Sequence, residues 1–216
     1  MRDTYHDELE DIGTTLVQMT RMVRSAMAKA TTALLDGDLA AAERVISGDP
    51  AVDELRTGLD DRTFRIIARQ QPVAADLRLL ISSLHLSADL ERMGDLATHI
   101  AKVARMRYPQ IAVPTELRDV ITAMGEVAQS LVRKVEHVIE GRDVELAGDI
   151  AAEDDTMDAL HRKLFTLLLA PDWAHGTEAA IDLTLIGRYY ERYADHAVSV
   201  ARRIVFLVTG DRADAT

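Results

Sequence analysis

The chain has 216 residues, 48% of them apolar, enough for one large or two small domains with an adequate core. Its formal net charge of −11 disfavours nonspecific binding to nucleic acid or anionic lipid, since both polyanions would repel it. The absence of cysteine excludes disulfides, thiolate metal sites and cysteine nucleophiles together, so any metal must use oxygen or imidazole.

Proline and glycine are few, at 5 and 11, and valine and isoleucine recur at helical rather than alternating spacing, which predicts an all-α fold. No run of eighteen apolar residues occurs and Met1 to Glu8 lacks an apolar signal region, so a soluble, cytoplasmic protein is expected. The first helix runs from Thr4 to about Leu35, with Leu9, Ile12, Leu16, Met19, Val23, Met27 and Ala30 on one face, and ends at Asp36-Gly37-Asp38. The second follows Asp38 and meets Pro50, which is expected to kink or restart it with Asp49 as cap; it continues through Leu55, Leu59 and Ile66 to Arg69. Gln70-Gln71-Pro72 is the turn, and Pro72 at a first helical position opens the third helix, which reaches about Met106. Tyr108 to Thr115 holds two of the five prolines and is the connector, with Thr115 as the next cap. Helix four spans Glu116 to Glu140, helix five begins at Arg142-Asp143 and reaches Leu169, and helix six runs from about Glu178 to Val208, leaving a polar tail from Gly210.

The plan is helix-helix-helix twice, that is, two tandem three-helix bundles related by internal duplication. Residues 1–108 form the first bundle, 109–115 the linker and 116–216 the second, each long enough to bury its own core. A proline-rich linker with few apolar anchors is the expected first site of proteolysis.

The duplication is plainest where Leu90-Glu91-Arg92-Met93-Gly94-Asp95 recurs one hundred residues later as Tyr190-Glu191-Arg192-Tyr193-Ala194-Asp195. Leu90, Met93, Ala97 and Ile100 form an apolar seam, as do Tyr190, Tyr193, Ala197 and Val200, and the two carboxylates of each copy stand beside it. Like charges at i and i+4 destabilise a helix, the more so as solvent is removed, so both copies call for countercharge. Arg92 and Arg192 are one source; a bridging metal is the other. With 36 acidic residues in 216, chance alone gives about six such pairs, so a single ExxxD carries little weight. The weight comes from a second repeated pair, Asp49 and Asp53 on helix two and Asp154 and Asp158 on helix five. Four carboxylates facing one another across antiparallel helices either acquire raised pKa values or hold cations. All-oxygen ligation favours magnesium, manganese, calcium or iron ahead of zinc.

These motifs, together with Arg69-Gln70-Gln71-Pro72-Val73-Ala74-Ala75-Asp76-Leu77-Arg78, resemble the PhoU family of phosphate-signalling proteins over essentially the whole chain. The resemblance implies two three-helix bundles with multinuclear clusters of iron or another metal, manganese, magnesium or zinc, on the E/DxxxD motifs. By position, the first site would be Asp49, Asp53, Glu91 and Asp95 and the second Asp154, Asp158, Glu191 and Asp195. It further implies a homodimeric regulatory adaptor, not an enzyme, that links a phosphate ABC transporter to a sensor histidine kinase and represses the phosphate-starvation response when phosphate is plentiful. Its partners would be that kinase and the transporter ATPase, so the protein would meet the membrane only through them. Pro50 inside the first acidic motif and Tyr193-Ala194 in the second copy depart from the family pattern.

Other readings are weaker. His85 and His99 invite a phosphorelay role, but no lysine follows at the one-turn spacing such modules favour. A diiron oxidase needs ExxH pairs; His161 and His175 follow aspartate at that spacing, without a matching helix. Met19, Met22, Met27 and Met93 read as core, and Arg202-Arg203 as a solvated helix end. A metal-dependent hydrolase remains the alternative, although no separate base stands near the motifs. Arg62, Arg65, Arg69 and Arg78 form a possible basic patch that would suit an acidic partner surface.

Overall fold

The computed structural model describes residues 2–211, with side chains from Tyr5 onward. Met1 and the part of the expected polar tail beyond residue 211 lie outside the described residues. The described residues form α1 (Arg2–Asp36), α2 (Leu39–Gln70), α3 (Ala74–Arg107), a 3-10 turn (Thr115–Leu117), α4 (Arg118–Gly141), α5 (Val144–Leu168) and α6 (Gly176–Thr209). The expected architecture is present: α1 to α3 make one bundle, α4 to α6 the other.

Three local expectations fail, each because packing or turn geometry overrides a local signal. Pro50 neither breaks nor restarts α2, and Asp49 is a mid-helix residue rather than a cap. An interior proline costs about 3 kcal/mol, but Val45 and Val52 are buried on either side of it and hold the helix against the core. The cap is Asp38, whose side chain accepts from the Ala41 amide at 2.9 Å. Pro72 lies in the turn: Gln71, in the left-handed conformation (φ 49°), closes α2 by donating its amide to the Ile67 carbonyl, and α3 starts at Ala74. Thr115 does not cap α4 directly but begins the 3-10 turn that leads into it. Asp143 does cap α5, accepting from the Leu146 amide at 3.0 Å.

The seams fall where the 3-4 spacing puts them. Ile12, Met19, Val23 and Met27 of α1 are fully buried, as are Leu90, Met93, Ala97 and Ile100 of α3 and Tyr190, Tyr193, Ala197 and Val200 of α6. Buried residues of all six helices join into one continuous hydrophobic core. The connector is anchored to it, since Ala112 and Val113 are buried while Ile111 is exposed.

The halves meet along α1 with α4 and along α3 with α6. Contacts across α3 and α6 are reciprocal under the hundred-residue repeat. Asp89 accepts from Ser199, and the equivalent pair brings Tyr189 to the His99 ring, 5.2 Å between centroids. Arg78 donates to the Leu207 carbonyl, and the equivalent pair is Glu178 with Arg107. Such exchange of partners is what an isologous two-fold contact requires, so the duplicated halves pack as a pseudo-dimer within one chain. Between α1 and α4, nearly buried Glu136 pairs with Arg21 at 2.6 Å and Arg24 at 2.9 Å. Tyr193 and Tyr190 reach from α6 to α1, donating to the Val23 carbonyl at 3.2 Å and sharing a hydrogen bond with Thr31 at 2.7 Å.

Gly125 faces α1 without room for a side chain: a Cβ there would stand 2.7 Å from Cγ2 of Thr31. Thr31 is β-branched and tied by its hydroxyl to the Met27 carbonyl and Tyr190, so it yields poorly. Gly125→Ala should gain about 1 kcal/mol in helix propensity but lose about 1–3 kcal/mol to overpacking. The expected net result is a melting temperature lowered by about 2–4 °C, checked by calorimetry; an increase would mean that the interface yields freely.

Candidate functional site

Each half brings its four predicted carboxylates into mutual electrostatic range at the meeting of its second and third helices. In the first half, Asp95 and Asp53 act on both Asp49 and Glu91. In the second, Asp195, Asp158 and Glu191 all act on Asp154. Spacing of four residues sets the two members of each pair one turn apart, and the seam beside them turns Asp49, Glu91, Asp154 and Glu191 partly inward, leaving Asp53 and Asp195 exposed.

Burial and like charge together disturb the inward members. Burial, with the Asp95 and Asp53 charges, raises the Asp49 carboxyl despite a hydrogen bond to Thr98. Burial and Asp95 raise Glu91 although Arg56 and Arg92 oppose them. Asp154 is pushed to about 6 by burial and then by Asp195, Asp158, Glu191 and Asp155. Burial and Asp195 raise Glu191 in the same way, against Arg188.

The countercharge is only partly where the sequence put it. Arg92 does approach its own pair, 3.1 Å from Asp95 and 3.9 Å from Glu91. Arg56, on the neighbouring helix, reaches Glu91 at 3.2 Å. In the second half Arg192 pairs with no described carboxylate; Arg188, three residues before Glu191, pairs with that glutamate instead. Arg188 and Arg56 were missed; an i,i+3 spacing was the available signal for Arg188, whereas Arg56 meets Glu91 from another helix and had none.

Among the described residues no three aspartate, glutamate or histidine side chains stand together in ligand geometry. Glu91, Asp95, Asp158 and Glu191 each lie within 4 Å of an arginine. Oε2 of Glu191 and Nε2 of His161 in the second half are buried without a hydrogen bond, and so are Oδ1 of Asp60 and the Thr63 hydroxyl on α2. Carboxylate oxygens are a donor type that hard divalent cations accept, so each quartet suits such a cation in donor type and not in its present side-chain arrangement.

The remaining candidates divide. Arg78 does not belong with Arg62, Arg65 and Arg69, because it turns to α6 and donates to the Leu207 carbonyl at 3.1 Å. Arg62 lies 3.9 Å from Asp11, and Arg65 donates to the Asp61 carbonyl, so the basic patch is small and partly neutralised. Arg203 is no plain solvated end: it donates to Asp89 at 3.0 Å. His85 and His99 are exposed, the latter hydrogen-bonded to the Asp95 carbonyl. A groove of about 1070 Å³ between α1, α3 and α4, lined by residues such as His6, Arg21 and Asp76, shares no residue with either quartet. No helix among the described residues is long and apolar enough to cross a membrane.

Comparison with known proteins agrees with the duplication. The PhoU domain model matches residues 16–104 and again 121–204. Over 210 residues the chain is 46% identical to the phosphate-specific transport system accessory protein PhoU homolog 2 of Mycobacterium tuberculosis (strain ATCC 25618 / H37Rv), covering 97% of this chain and 99% of that protein. It is 43% identical to PhoU homolog 1 of Mycobacterium leprae (strain TN), covering 97% and 95% respectively. The crystal structure of PhoU from Pseudomonas aeruginosa aligns with a TM-score of 0.85 at 29% identity, over 96% of this chain and all of that one. The phosphate transport system regulatory protein PhoU from Streptococcus pneumoniae aligns with a TM-score of 0.87 at 25% identity, over 97% and 99%.

Proposed function

Because the chain belongs to the PhoU family, we propose that it acts as a regulatory accessory protein of a phosphate transport system rather than as an enzyme. The observation that carries this reading is the whole-length match, at 46% identity, to a protein named as such an accessory. Within that role the chain restrains the phosphate-starvation response by contacting the transporter ATPase and a sensor histidine kinase. It works from the cytoplasm; no helix among the described residues is long and apolar enough to cross a membrane. The exposed faces of six long helices supply docking area, and the small patch of Arg62, Arg65 and Arg69 suits an acidic partner surface.

Each acidic quartet holds a divalent cation, iron, manganese, magnesium or zinc, through Asp49, Asp53, Glu91 and Asp95 or through Asp154, Asp158, Glu191 and Asp195. Bound metal would add positive charge beside the raised Asp49, Glu91, Asp154 and Glu191 carboxyls. The chain's own part is to hold the two helices of each half at a fixed spacing and to present the carboxylates together.

Deleting the gene in a strain with no second copy should switch phosphate-starvation genes on in phosphate-rich medium, read by transcript levels and phosphate uptake. Normal repression in the deletion strain would remove the regulatory role.

A further inference from the structure

The six helices close a flattened ring in the order α1, α2, α3, α6, α5, α4. α2 and α5 form its two edges, with α1 and α4 on one face and α3 and α6 on the other. Each edge carries a strip of charge, and the two strips are opposite in sign. Near its carboxyl end α2 bears Arg62, Arg65 and Arg69, three and four residues apart and so on one side of the helix. That side adjoins α1, because Arg62 stands 3.9 Å from Asp11, and Glu8 and Asp11 border the same hollow of about 240 Å³. From Val144 to Asp158, α5 has six carboxylates and no lysine or arginine. Glu145, Asp149 and Glu153 follow one another turn by turn, and Glu153 shows which side they share by pairing with Lys134 of α4 at 3.0 Å. The basic strip therefore borders α1 and the acidic strip α4, so both flank the same face. The duplication explains neither: a shift of 105 residues sets Arg62, Arg65 and Arg69 on Leu167, Ala170 and Ala174, and Glu145 and Asp149 on Ala40 and Arg44.

The strips also lie at the same height. Arg56 meets Glu91, Asp89 meets Ser199, and Gly187 meets His161 and Leu164. Along this path of antiparallel helices the carboxyl end of α2 and the amino end of α5 share one end of the molecule, with Arg62 level with Asp149 to within about one helical turn. Between the strips the α1–α4 face has little net charge. α1 exposes Thr14, Gln18, Ser25, Ala28 and Thr32 at heptad spacing, and Arg21, which falls among them, is matched by Glu136 and Glu140. α4 adds Glu126 and Arg133, one of each sign. The α3–α6 face, by contrast, holds the acidic quartets, and two copies meeting there would repel.

We propose that a second copy of this chain docks on the α1–α4 face as a closed two-fold dimer, with Arg62, Arg65 and Arg69 of each copy against Glu145 and Asp149 of the other. A two-fold axis parallel to the helices carries α2 of one copy onto α5 of the other without exchanging ends, so both charge contacts form at once and neither strip is left over. The acidic surface that suits the basic patch is then on the chain itself. The paired strips fix orientation and register, while the weakly charged face between them supplies contact area.

The test uses the full-length chain, followed by sedimentation velocity and light scattering over about 1–100 µM. Wild type should be dimeric at the upper end of that range. Arg62→Glu with Arg65→Glu should weaken dimerisation about tenfold or more, and so should Glu145→Lys with Asp149→Lys. An equimolar mixture of these two variants should recover dimer of wild-type strength, since a heterodimer of the two pairs opposite charges at both contacts, a rescue that misfolded chains cannot give. Wild type monomeric across the range, either variant dimerising as wild type does, or a mixture that stays monomeric overturns the docking surface. Growth past the dimer does so as well, because it marks an open head-to-tail contact. None of these results bears on the deletion phenotype, so the regulatory reading stands or falls separately.

Discussion

Asp89→Ala is expected to lower the stability of the whole chain by about 3 kcal/mol, because this one carboxylate joins α3 of the first half to three groups on α6 of the second. It accepts from His196 Nδ1 at 3.0 Å, from the Ser199 hydroxyl at 2.9 Å and from Arg203 Nε at 3.0 Å, and its side chain is 13% exposed. Hydrogen bonds to a charged group each contribute about 1.5–3 kcal/mol. The loss is not their sum, since Arg203 is exposed enough to regain water. Burial pushes the Asp89 carboxyl up, but the His196, Ser199 and Arg203 bonds outweigh it and hold it below the usual carboxylate range. A group depressed in the folded state stabilises above its unfolded pKa, near 4, and that contribution is lost as pH falls below it. Urea denaturation from pH 7 to pH 3 should therefore show wild type losing stability on acidification more steeply than Asp89→Ala. A loss under about 1 kcal/mol at pH 7 would show that apolar contacts alone hold α3 to α6.

Asp154→Asn should act in opposite directions with and without metal. In metal-free protein Asp154 is raised to about 6 from the ordinary 3.8, so the folded state keeps a proton that the unfolded chain has released. Stability then falls as pH rises from about 4 through 6, by up to about 3 kcal/mol if the group were fully buried and by about 1–2 kcal/mol allowing for its solvation. Asparagine carries no charge to strand, so in EDTA at pH 7.5 the variant should melt higher than wild type. Saturating Mn2+ or Zn2+ should reverse the order, because metal at a hundred times its dissociation constant stabilises wild type by about 2.7 kcal/mol and the variant has lost a ligand. A variant no more stable in EDTA would mean that the second quartet carries no electrostatic conflict. A wild type indifferent to every divalent ion would remove the metal centres.

Helix number, order and seams were legible because 3.6-residue periodicity is a local property: Met19, Leu90 and Tyr193 are buried where the spacing puts them. The signals that misled were also local. Pro50 and Pro72 are helix punctuation by propensity, and burial of Val52 beside one, with Gln71 in the left-handed region before the other, decided the outcome. Both acidic quartets were legible because the duplication printed them twice. Their neighbours were not, since whether Arg56 or Arg192 faces a carboxylate depends on how the helices are rotated about their axes. Asp89 and Glu136 were invisible for a further reason: their partners lie about one hundred residues away or more, across an interface that no local pattern encodes.

The shared packing of α1 has a consequence for how the chain is made. A ribosome that has finished α3 has supplied everything the first bundle contains, yet the side of α1 around Ala28 and Thr31 belongs under α4, which ends at Gly141. At about 5–20 residues per second, that covering helix arrives seconds after the bundle it covers. During that interval the nascent chain displays a groove shaped for a helix it does not yet own, the surface a chaperone or a second nascent copy would find first. A message truncated in the linker would release this state permanently, a half molecule with an open flank in place of a working one.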